Sequence, residues 1–259
     1  MSVPVYLSRP AVVCSAGFTL DDLWTSLLLG DNSGMVPTRT RSGKRLYAAR
    51  IPDSRLAPSG ARYDMHIIRM EHAALTQLAP AVHAALDRYG ASRVAACVGS
   101  CDNGSEFSVA AHSFYFDTEV FPASYELEMQ GADYVATFVR ETFAMEGPVL
   151  AFSTACSSSA GALIKAAQLV KSGAVDAVVA GGVDIASDTV LLGFDSLEAV
   201  SPQPTNPFSR NRSGITLGDA AAFFVLSREP LEAGPAVTLA GYGESADAFH
   251  LTSPDSEGR

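Results

Sequence analysis

The sequence predicts an α/β fold in which crossover connections carry the chain from strand to strand. Short β-branched runs alternate with longer segments of helical periodicity, which is typical of that fold class. The clearest strand covers residues 175–180, an uninterrupted apolar run bounded by turn residues, as expected of a strand covered on both faces. Hydrophobic residues make up 47% of the 259 residues and charged residues 18%, so the chain is suited to a well-buried globular core.

The first 60 residues are predicted to hold strand, helix and a long polar excursion. The apolar opening at residues 3–13 supplies one strand or two. The helix covers residues 19–29, because Thr19 is a favourable N-cap and Gly30 can end it. Residues 31–60 are polar and rich in glycine and proline, and they contain a basic cluster formed by Arg39, Arg41, Lys44 and Arg45.

A longer helix and a buried strand are predicted next. The helix covers residues 65–89, although Pro80 argues for a break or a kink within it. Residues 93–99 form the strand, and residues 131–145 form a further helix. The stretch at residues 100–121 mixes small, aromatic and acidic side chains, and no element is predicted there.

The remaining elements again alternate between strand and helix. A strand at residues 148–153 leads into a helix at residues 156–171, and the strand at residues 175–180 ends in a double glycine. After a loop rich in proline, asparagine and serine, the last two strands are predicted at residues 220–226 and 237–243.

The composition argues against several classes of function. A net charge of −10 makes non-specific binding to nucleic acid or to an anionic membrane unfavourable. No stretch reaches the roughly 18 apolar residues of a membrane span, and the N-terminus lacks the basic and apolar regions of a secretion signal. The four cysteines are too few and too irregularly spaced for a disulfide framework. We therefore expect a reduced, cytoplasmic protein.

Cys156 is the candidate nucleophile, because a strand is predicted to end and a helix to begin within a few residues of it. Unpaired backbone N–H groups and the positive end of the helix dipole favour a thiolate at such a position. The same N–H groups can stabilise the oxyanion of an attacked thioester. A cysteine between apolar segments is more often a small buried hydrophobe, which is the interpretation we prefer for Cys14 and Cys97. For Cys156, position alone leaves both interpretations open.

Several segments from residue 153 onward form a specific pattern. They are Ser153-Thr-Ala-Cys156-Ser-Ser, the strand and double glycine at residues 173–182, the step Gly193-Phe194, the block at residues 207–221, and Gly241-Tyr-Gly243 followed by residues 247–250. Together they resemble the β-ketoacyl synthases, condensing enzymes of the thiolase superfamily. The block is similar to the family's PFD-x-x-RDGF-x-x-GEGA motif. The finer pattern looks closest to the ketosynthases of aryl polyene pathways.

The resemblance implies a thiolase-like fold with α/β/α layers, of which this chain carries the N-terminal half and the start of the C-terminal half. The implied boundary separates residues 1–235, which carry the nucleophile, from residues 236–259, the opening strand and linker of the second half. The resemblance also implies that Cys156 takes the acyl group and that the ring of Phe194 lines the acyl pocket. For docking of an acyl carrier protein, the region that the family uses holds two basic residues here, Arg62 and Arg69, and the basic cluster of the polar excursion is a second candidate.

The sequence departs from the family pattern at several positions. Ser209 and Ser213 replace acidic residues, and Asp219-Ala220 stands where Glu-Gly is expected. Family members also continue well past residue 259, and their two catalytic histidines lie in that second half. The five histidines of this chain, at positions 66, 72, 83, 112 and 250, match none of the family's histidine motifs, so we expect exposed or capping roles for them. We therefore expect a fragment that lacks the second half.

The reaction that the resemblance implies is a decarboxylative Claisen condensation in fatty acid, polyketide or aryl polyene biosynthesis. Cys156 takes an acyl group from a carrier-protein or coenzyme A thioester. Malonyl-carrier protein then loses CO₂, and the resulting enolate attacks the acyl-cysteine. The implied partners are acyl carrier protein, malonyl and acyl thioesters, and a second ketosynthase subunit, identical or paired. We expect no cofactor and no metal, and no condensation by this chain alone.

Two alternatives stay open: another thiolase-fold acyltransferase, and a non-catalytic partner subunit of the chain-length-factor kind. The first would share the nucleophile but not the block at residues 207–214. The retained cysteine counts against the second, and the missing second half counts for it. A dinucleotide site at residues 241–246 is rejected, because the fingerprint needs a following helix and an acidic residue about 20 positions on. Metal binding is rejected because Cys97 and Cys101 have no second ligand pair nearby.

Overall fold

The computed structural model describes residues 3–62, 64–102, 104–250 and 255–257. In chain order, the elements are β1 (Tyr6–Leu7), β2 (Ala11–Cys14), α1 (Leu20–Leu29), β3 (Val36–Arg39), β4 (Arg45–Ala49), α2 (His66–Tyr89), β5 (Val94–Gly99), α3 (Ser105–Thr118), α4 (Tyr134–Thr142), β6 (Val149–Phe152), α5 (Ser158–Lys171), β7 (Ala177–Asp184), α6 (Asp188–Ser196), β8 (Leu217–Gly218), β9 (Ala220–Ser227) and β10 (Val237–Thr238).

The main sheet is mixed, with the strand order β10, β1, β9, β7, β5, β6, and β2 also pairs with β9. β5 is parallel to both β6 and β7. β9 is antiparallel to β7, β1 and β2. A second, smaller sheet has the order β3, β4, β8. The predicted α/β fold class is confirmed.

Helices cover both faces of the main sheet. On one face, Leu75 of α2 and Val135 of α4 belong to the same buried cluster as Val98 of β5. On the other face, Ala166 of α5 packs in a cluster with Cys97 of β5. Neighbouring residues of β5 point to opposite faces because side chains alternate along a strand. The predicted α/β/α layering is therefore confirmed, as is the prediction that Cys97 is a buried hydrophobe.

The first two predicted helices form, but Pro80 does not break the second. The hydroxyl of Thr19 caps α1 by accepting a backbone hydrogen bond at 3.1 Å, and Gly30 ends α1 with a left-handed φ of 63°. α2 continues through Pro80, and its neighbours Leu78 and Val82 are fully buried. Burial of this face offsets the roughly 3 kcal/mol that a proline costs inside a helix.

β7 runs through the double glycine, so the prediction that the strand ends there is wrong. A Cβ on Gly181 would lie 2.0 Å from the carbonyl oxygen of Ala222 on β9. A Cβ on Gly182 would lie 2.0 Å from the Oγ of Ser159 on α5. Both glycines are therefore required for the close approach of neighbouring elements and not for a turn.

Several elements were not predicted from the sequence. The polar excursion contains the hairpin of β3 and β4, which carries the basic cluster, and the unassigned stretch forms α3. α6 follows β7. The strand predicted at residues 237–243 is shorter than expected, because only Val237–Thr238 pair, with β1. In the part of the chain that the structure describes, no helix has the length and apolar character needed to cross a membrane.

Candidate functional site

Cys156 lies in a single helical turn, Ala155–Ser157, between the end of β6 and the start of α5. Residues 153–157 are exposed. Ala155 has a φ of 54°, a left-handed conformation that is uncommon for a residue with a Cβ. The chain therefore changes direction one residue before Cys156, and the thiol stands at the surface where the helix begins.

Serine side chains hold this turn. The Oγ of Ser158 accepts a hydrogen bond from the N–H of Thr154 at 2.9 Å and donates one to the carbonyl of Ala155 at 2.7 Å. The Oγ of Ser157 donates to the carbonyl of Thr154 at 2.8 Å. Ser157 occupies the N-cap of α5 but makes no capping hydrogen bond to the helix. The hydroxyls therefore stabilise the turn itself, and the hydroxyl at the N-cap does not engage the N–H groups of the first helical turn.

Glycines on two neighbouring strands, β5 and β7, let α5 approach the sheet beneath this turn. A Cβ on Gly99, the last residue of β5, would lie 2.4 Å from the backbone of both Ser158 and Ser159. Gly182 faces the side chain of Ser159 in the same way. The position of the first turn of α5, and with it that of Cys156, depends on the absence of side chains at these two positions.

Replacing Gly99 by alanine is expected to push the first turn of α5 away from the sheet. We expect the free energy of unfolding to fall by about 1–3 kcal/mol, as for other overpacked sites, and the chemical modification of Cys156 to slow. Gly193→Ala is the matched control, because an added Cβ there meets nothing within 4 Å and alanine favours a helix. Urea unfolding of both variants measures the difference. Equal stability of Gly99→Ala and the unsubstituted chain would contradict the packing argument.

A second thiol reaches the nucleophile turn. The Sγ of Cys101 donates a hydrogen bond to the carbonyl of Ala155 at 2.9 Å and lies 3.4 Å from the Oγ of Ser158. The N–H of Cys101 donates to the Oδ1 of Asp184 at 2.7 Å. The sequence presents Cys101 only as a potential metal ligand, so this contact was not predicted. The available signal was topological: β5 and β6 are parallel neighbours, so the residues that follow their carboxyl ends meet at one edge of the sheet.

The other predicted site residues lie on separate elements. Phe194 is half-buried on α6. Arg62, at the surface, forms ion pairs with Glu126 and Glu128, and Arg69 pairs with Asp64 at 2.7 Å. These carboxylates offset much of the positive charge on which the prediction of carrier docking depends. Among the residues that the structure describes, no group of three or more His, Cys, Asp or Glu side chains is arranged to hold a metal ion.

The side chain of His66 is buried and lies between a buried carboxylate, Asp219, and an exposed one, Asp53, so the expectation of an exposed or capping role is wrong for this histidine. Its side chain is 7% exposed, with Nδ1 2.5 Å from Asp53 and Nε2 3.0 Å from Asp219. The carboxylate of Asp219 also accepts from the N–H groups of Ile51 at 2.8 Å and Ala186 at 2.7 Å. Burial lowers the pKa of His66, but the hydrogen bonds and charges of Asp219 and Asp53 outweigh it and raise that pKa above its ordinary value.

The raised pKa of His66 makes stability depend on pH. The protonated imidazole is bound more tightly in the folded chain, so its contribution is complete below the ordinary histidine pKa of about 6.5 and is lost as pH rises through the higher folded value. We expect the free energy of unfolding to decrease as the pH rises above about 6.5. His66→Gln should show a smaller decrease, and His83→Gln, at an exposed position of α2, the same decrease as the unsubstituted chain. The free energy of unfolding is measured by urea titration at each pH. The same dependence of this free energy on pH in all three proteins would rule out the contribution of His66.

The layered sheet, with parallel strands that lead into a helix carrying the cysteine turn, defines a thiolase-like protein. Residues 11–231 match the family model "Beta-ketoacyl synthase, N-terminal domain". The chain belongs to the β-ketoacyl synthase family, and it supplies that N-terminal domain. The family and the thiolase-like fold expected from the sequence are confirmed.

Individual relatives agree with this assignment. 3-Oxoacyl-[acyl-carrier-protein] synthase 2 of Vibrio harveyi is 32% identical over 180 residues, 65% of this chain and 43% of that protein. Nodulation protein E of Rhizobium meliloti is 38% identical over 125 residues, 46% of this chain and 31% of that protein. The solved complex of the ketosynthase ApeO with its chain length factor ApeC from Xenorhabdus doucetiae matches with a TM-score of 0.83 and 33% identity, covering 99% of this chain and 65% of that one. The chain spans less than half the length of these two curated relatives.

Proposed function

We propose that this chain is the acyl-accepting half of a β-ketoacyl-acyl carrier protein synthase, with Cys156 as the acylated residue. The observation that carries the proposal is an exposed cysteine in the turn that opens α5, inside the segment that matches the family model. Relatives named as 3-oxoacyl-acyl carrier protein synthases support the substrate class. The cytoplasm is the compartment we propose.

Acyl transfer to Cys156 is a thioester exchange. The sulfur attacks the carbonyl carbon of the donor thioester, a new C–S bond forms, and the C–S bond to the donor breaks. The proton of the Cys156 thiol ends on the departing thiol. The N–H groups of the first turn of α5, at the positive end of the helix dipole, supply the stabilisation that the tetrahedral oxyanion requires. Phe194 is proposed to line the pocket that receives the acyl chain.

Condensation is proposed for the whole enzyme. Malonyl bound to carrier protein loses CO₂, and the enolate attacks the acyl group on Cys156 to release a product two carbons longer. The boundary between residues 1–235 and 236–259 remains a proposal, as do the aryl polyene pathway and docking of the carrier protein at Arg62 and Arg69. A homodimer or a ketosynthase heterodimer is proposed, and the position of β6 at the edge of the described sheet supports pairing with a second subunit.

Donor competition tests the proposal. The purified chain is incubated with the same acyl group on acyl carrier protein and on coenzyme A, and the mass increase of the intact chain is followed. We expect one acyl group per chain, taken faster from the carrier protein, and no elongation after malonyl-carrier protein is added. Uptake from coenzyme A alone would favour another thiolase-fold acyltransferase. An iodoacetamide-resistant Cys156 in the folded chain would favour a non-catalytic partner subunit.

A further inference from the structure

We propose that Cys101 is a positioning residue for Cys156. Its thiol, together with the hydroxyl of Ser158, holds the carbonyl of Ala155 and so maintains the left-handed turn that presents the nucleophile. The inference rests on the proposed function, in which Cys156 is the acylated residue, but its geometric basis is independent of the identity of the acyl donor.

The turn requires support because Ala155 is in an unfavourable conformation. A residue with a Cβ adopts a left-handed φ only where the surrounding structure over-determines it. Two donors converge on the carbonyl of Ala155: the Sγ of Cys101 at 2.9 Å and the Oγ of Ser158 at 2.7 Å. This carbonyl belongs to the peptide whose nitrogen is that of Cys156. Fixing its direction therefore fixes the direction in which the chain enters Cys156.

Cys101 is itself held in place by the neighbouring strand. Its N–H donates to the Oδ1 of Asp184 at 2.7 Å, and the Oγ of Ser100 lies 3.3 Å from the same oxygen. Asp184 is the last residue of β7. Since β5 is parallel to both β6 and β7, the carboxyl ends of these strands meet at one edge of the sheet. The contact from Asp184 through Cys101 to Ala155 links these strand ends to the nucleophile turn.

The thiol of Cys101 is suited to donate a hydrogen bond and not to act as a nucleophile. Partial burial raises its pKa, and the charges of Asp184 and Cys156 raise it further, against the opposing effect of the hydrogen bond with Ser158. The protonated form is the one that can donate to a carbonyl, whereas the thiolate is the nucleophile.

The test measures how fast iodoacetamide alkylates Cys156, resolved by mass spectrometry of the peptide that contains it. Cys101→Ala and Cys101→Val remove the donor, and valine keeps a side chain of similar volume. We expect both to slow the alkylation of Cys156 about threefold to tenfold, the effect of one neutral hydrogen bond. Cys101→Ser, which restores a donor, is expected to react within about twofold of the unsubstituted chain, as is the control Cys14→Ala on β2.

A thermal melt of each variant separates positioning from stability. If Cys101 had a merely structural role, the variants would change the melting temperature, and Cys101→Ser would not restore the alkylation rate of Cys156. Crystal structures of the alanine and valine variants provide the second measurement, in which Ala155 should leave the left-handed region. Unchanged alkylation of Cys156 with Ala155 still at a positive φ would overturn the inference. Failure of acyl carrier protein to acylate the unsubstituted chain would overturn the proposed function instead, and the dependence of Cys156 alkylation on residue 101 would still decide this inference.

Discussion

Cys156→Ala is expected to abolish acyl transfer to the chain. The exposed thiol in the turn before α5 is the group proposed to form the thioester, and alanine offers no atom that can. In enzymes that use covalent catalysis, loss of the nucleophile reduces the rate by a factor on the order of a thousand or more. The measurement is the rate at which a radiolabelled acyl group moves from acyl carrier protein to the chain and is then released by hydroxylamine, which cleaves thioesters.

Cys14→Ala is the matched control for this experiment. Cys14 is a half-buried cysteine at the end of β2 and pairs with Ala220 on β9, so its loss should leave acyl transfer unchanged. Cys156→Ala should retain the melting temperature of the unsubstituted chain, because Cys156 is exposed. Acyl transfer that persists in Cys156→Ala at more than a few per cent of the original rate would show that another residue takes the acyl group.

Asp219→Ala is expected to have the largest effect on stability. The carboxylate of Asp219 is fully buried and is bonded to His66 and to the N–H groups of Ile51 and Ala186. Burial raises the pKa of Asp219, but these hydrogen bonds and the charge of His66 outweigh it and lower that pKa. Removing one partner of a buried charged pair leaves the others unsatisfied, so we expect a loss of about 3–5 kcal/mol in the free energy of unfolding.

The control for this variant is Asp87→Ala, at an exposed position of α2, which should not change the free energy of unfolding measurably. Asp219→Asn keeps the size of the side chain and one of its acceptors. Its loss in the free energy of unfolding should therefore lie between those of Asp219→Ala and Asp87→Ala. A loss below about 0.5 kcal/mol for Asp219→Ala, the range of an ordinary surface substitution, would mean that the network does not hold α2 against the strands.

The parts of the fold that follow from local sequence signals were predictable. Thr19 and Gly30 mark the ends of α1 because capping depends on residues within one turn of the helix end. The run that forms β5 was recognisable because a strand covered on both faces is apolar throughout. The continuity of α2 through Pro80 was not predictable in the same way. The free energy that a proline costs inside a helix depends on local sequence, whereas the burial that offsets it is provided by residues distant in sequence.

The double glycine was also misinterpreted because its role depends on contacts with residues distant in sequence. Gly181 and Gly182 suggested a turn, since glycine commonly ends a strand, but here each is required by a neighbour that sequence alone does not place: Ala222 on β9 and Ser159 on α5. The strand predicted at residues 237–243 is shorter than expected for a related reason, because β1, its pairing partner, contributes only two residues.

Some residues of the candidate site were likewise predictable from local sequence signals, and others were not. Cys156 could be found because its signal is local, a cysteine between a strand and a helix, and because the motif around it resembles a known family. Cys101 and the network of His66 and Asp219 could not, since the contact of Cys101 with Ala155 joins positions 54 residues apart and that of His66 with Asp219 joins positions 153 residues apart. Arg62 and Arg69 were recognised as basic residues, but the carboxylates that pair with them became apparent only in the folded chain.

The most direct test of the account is to locate the acyl group on the chain. After incubation with acyl-carrier protein, the chain is digested and the modified peptides are sequenced by tandem mass spectrometry. We expect the acyl group on Cys156, with none on Cys14, Cys97 or Cys101. An acyl group on Cys101 or on Ser158, with Cys156 unmodified, would contradict it.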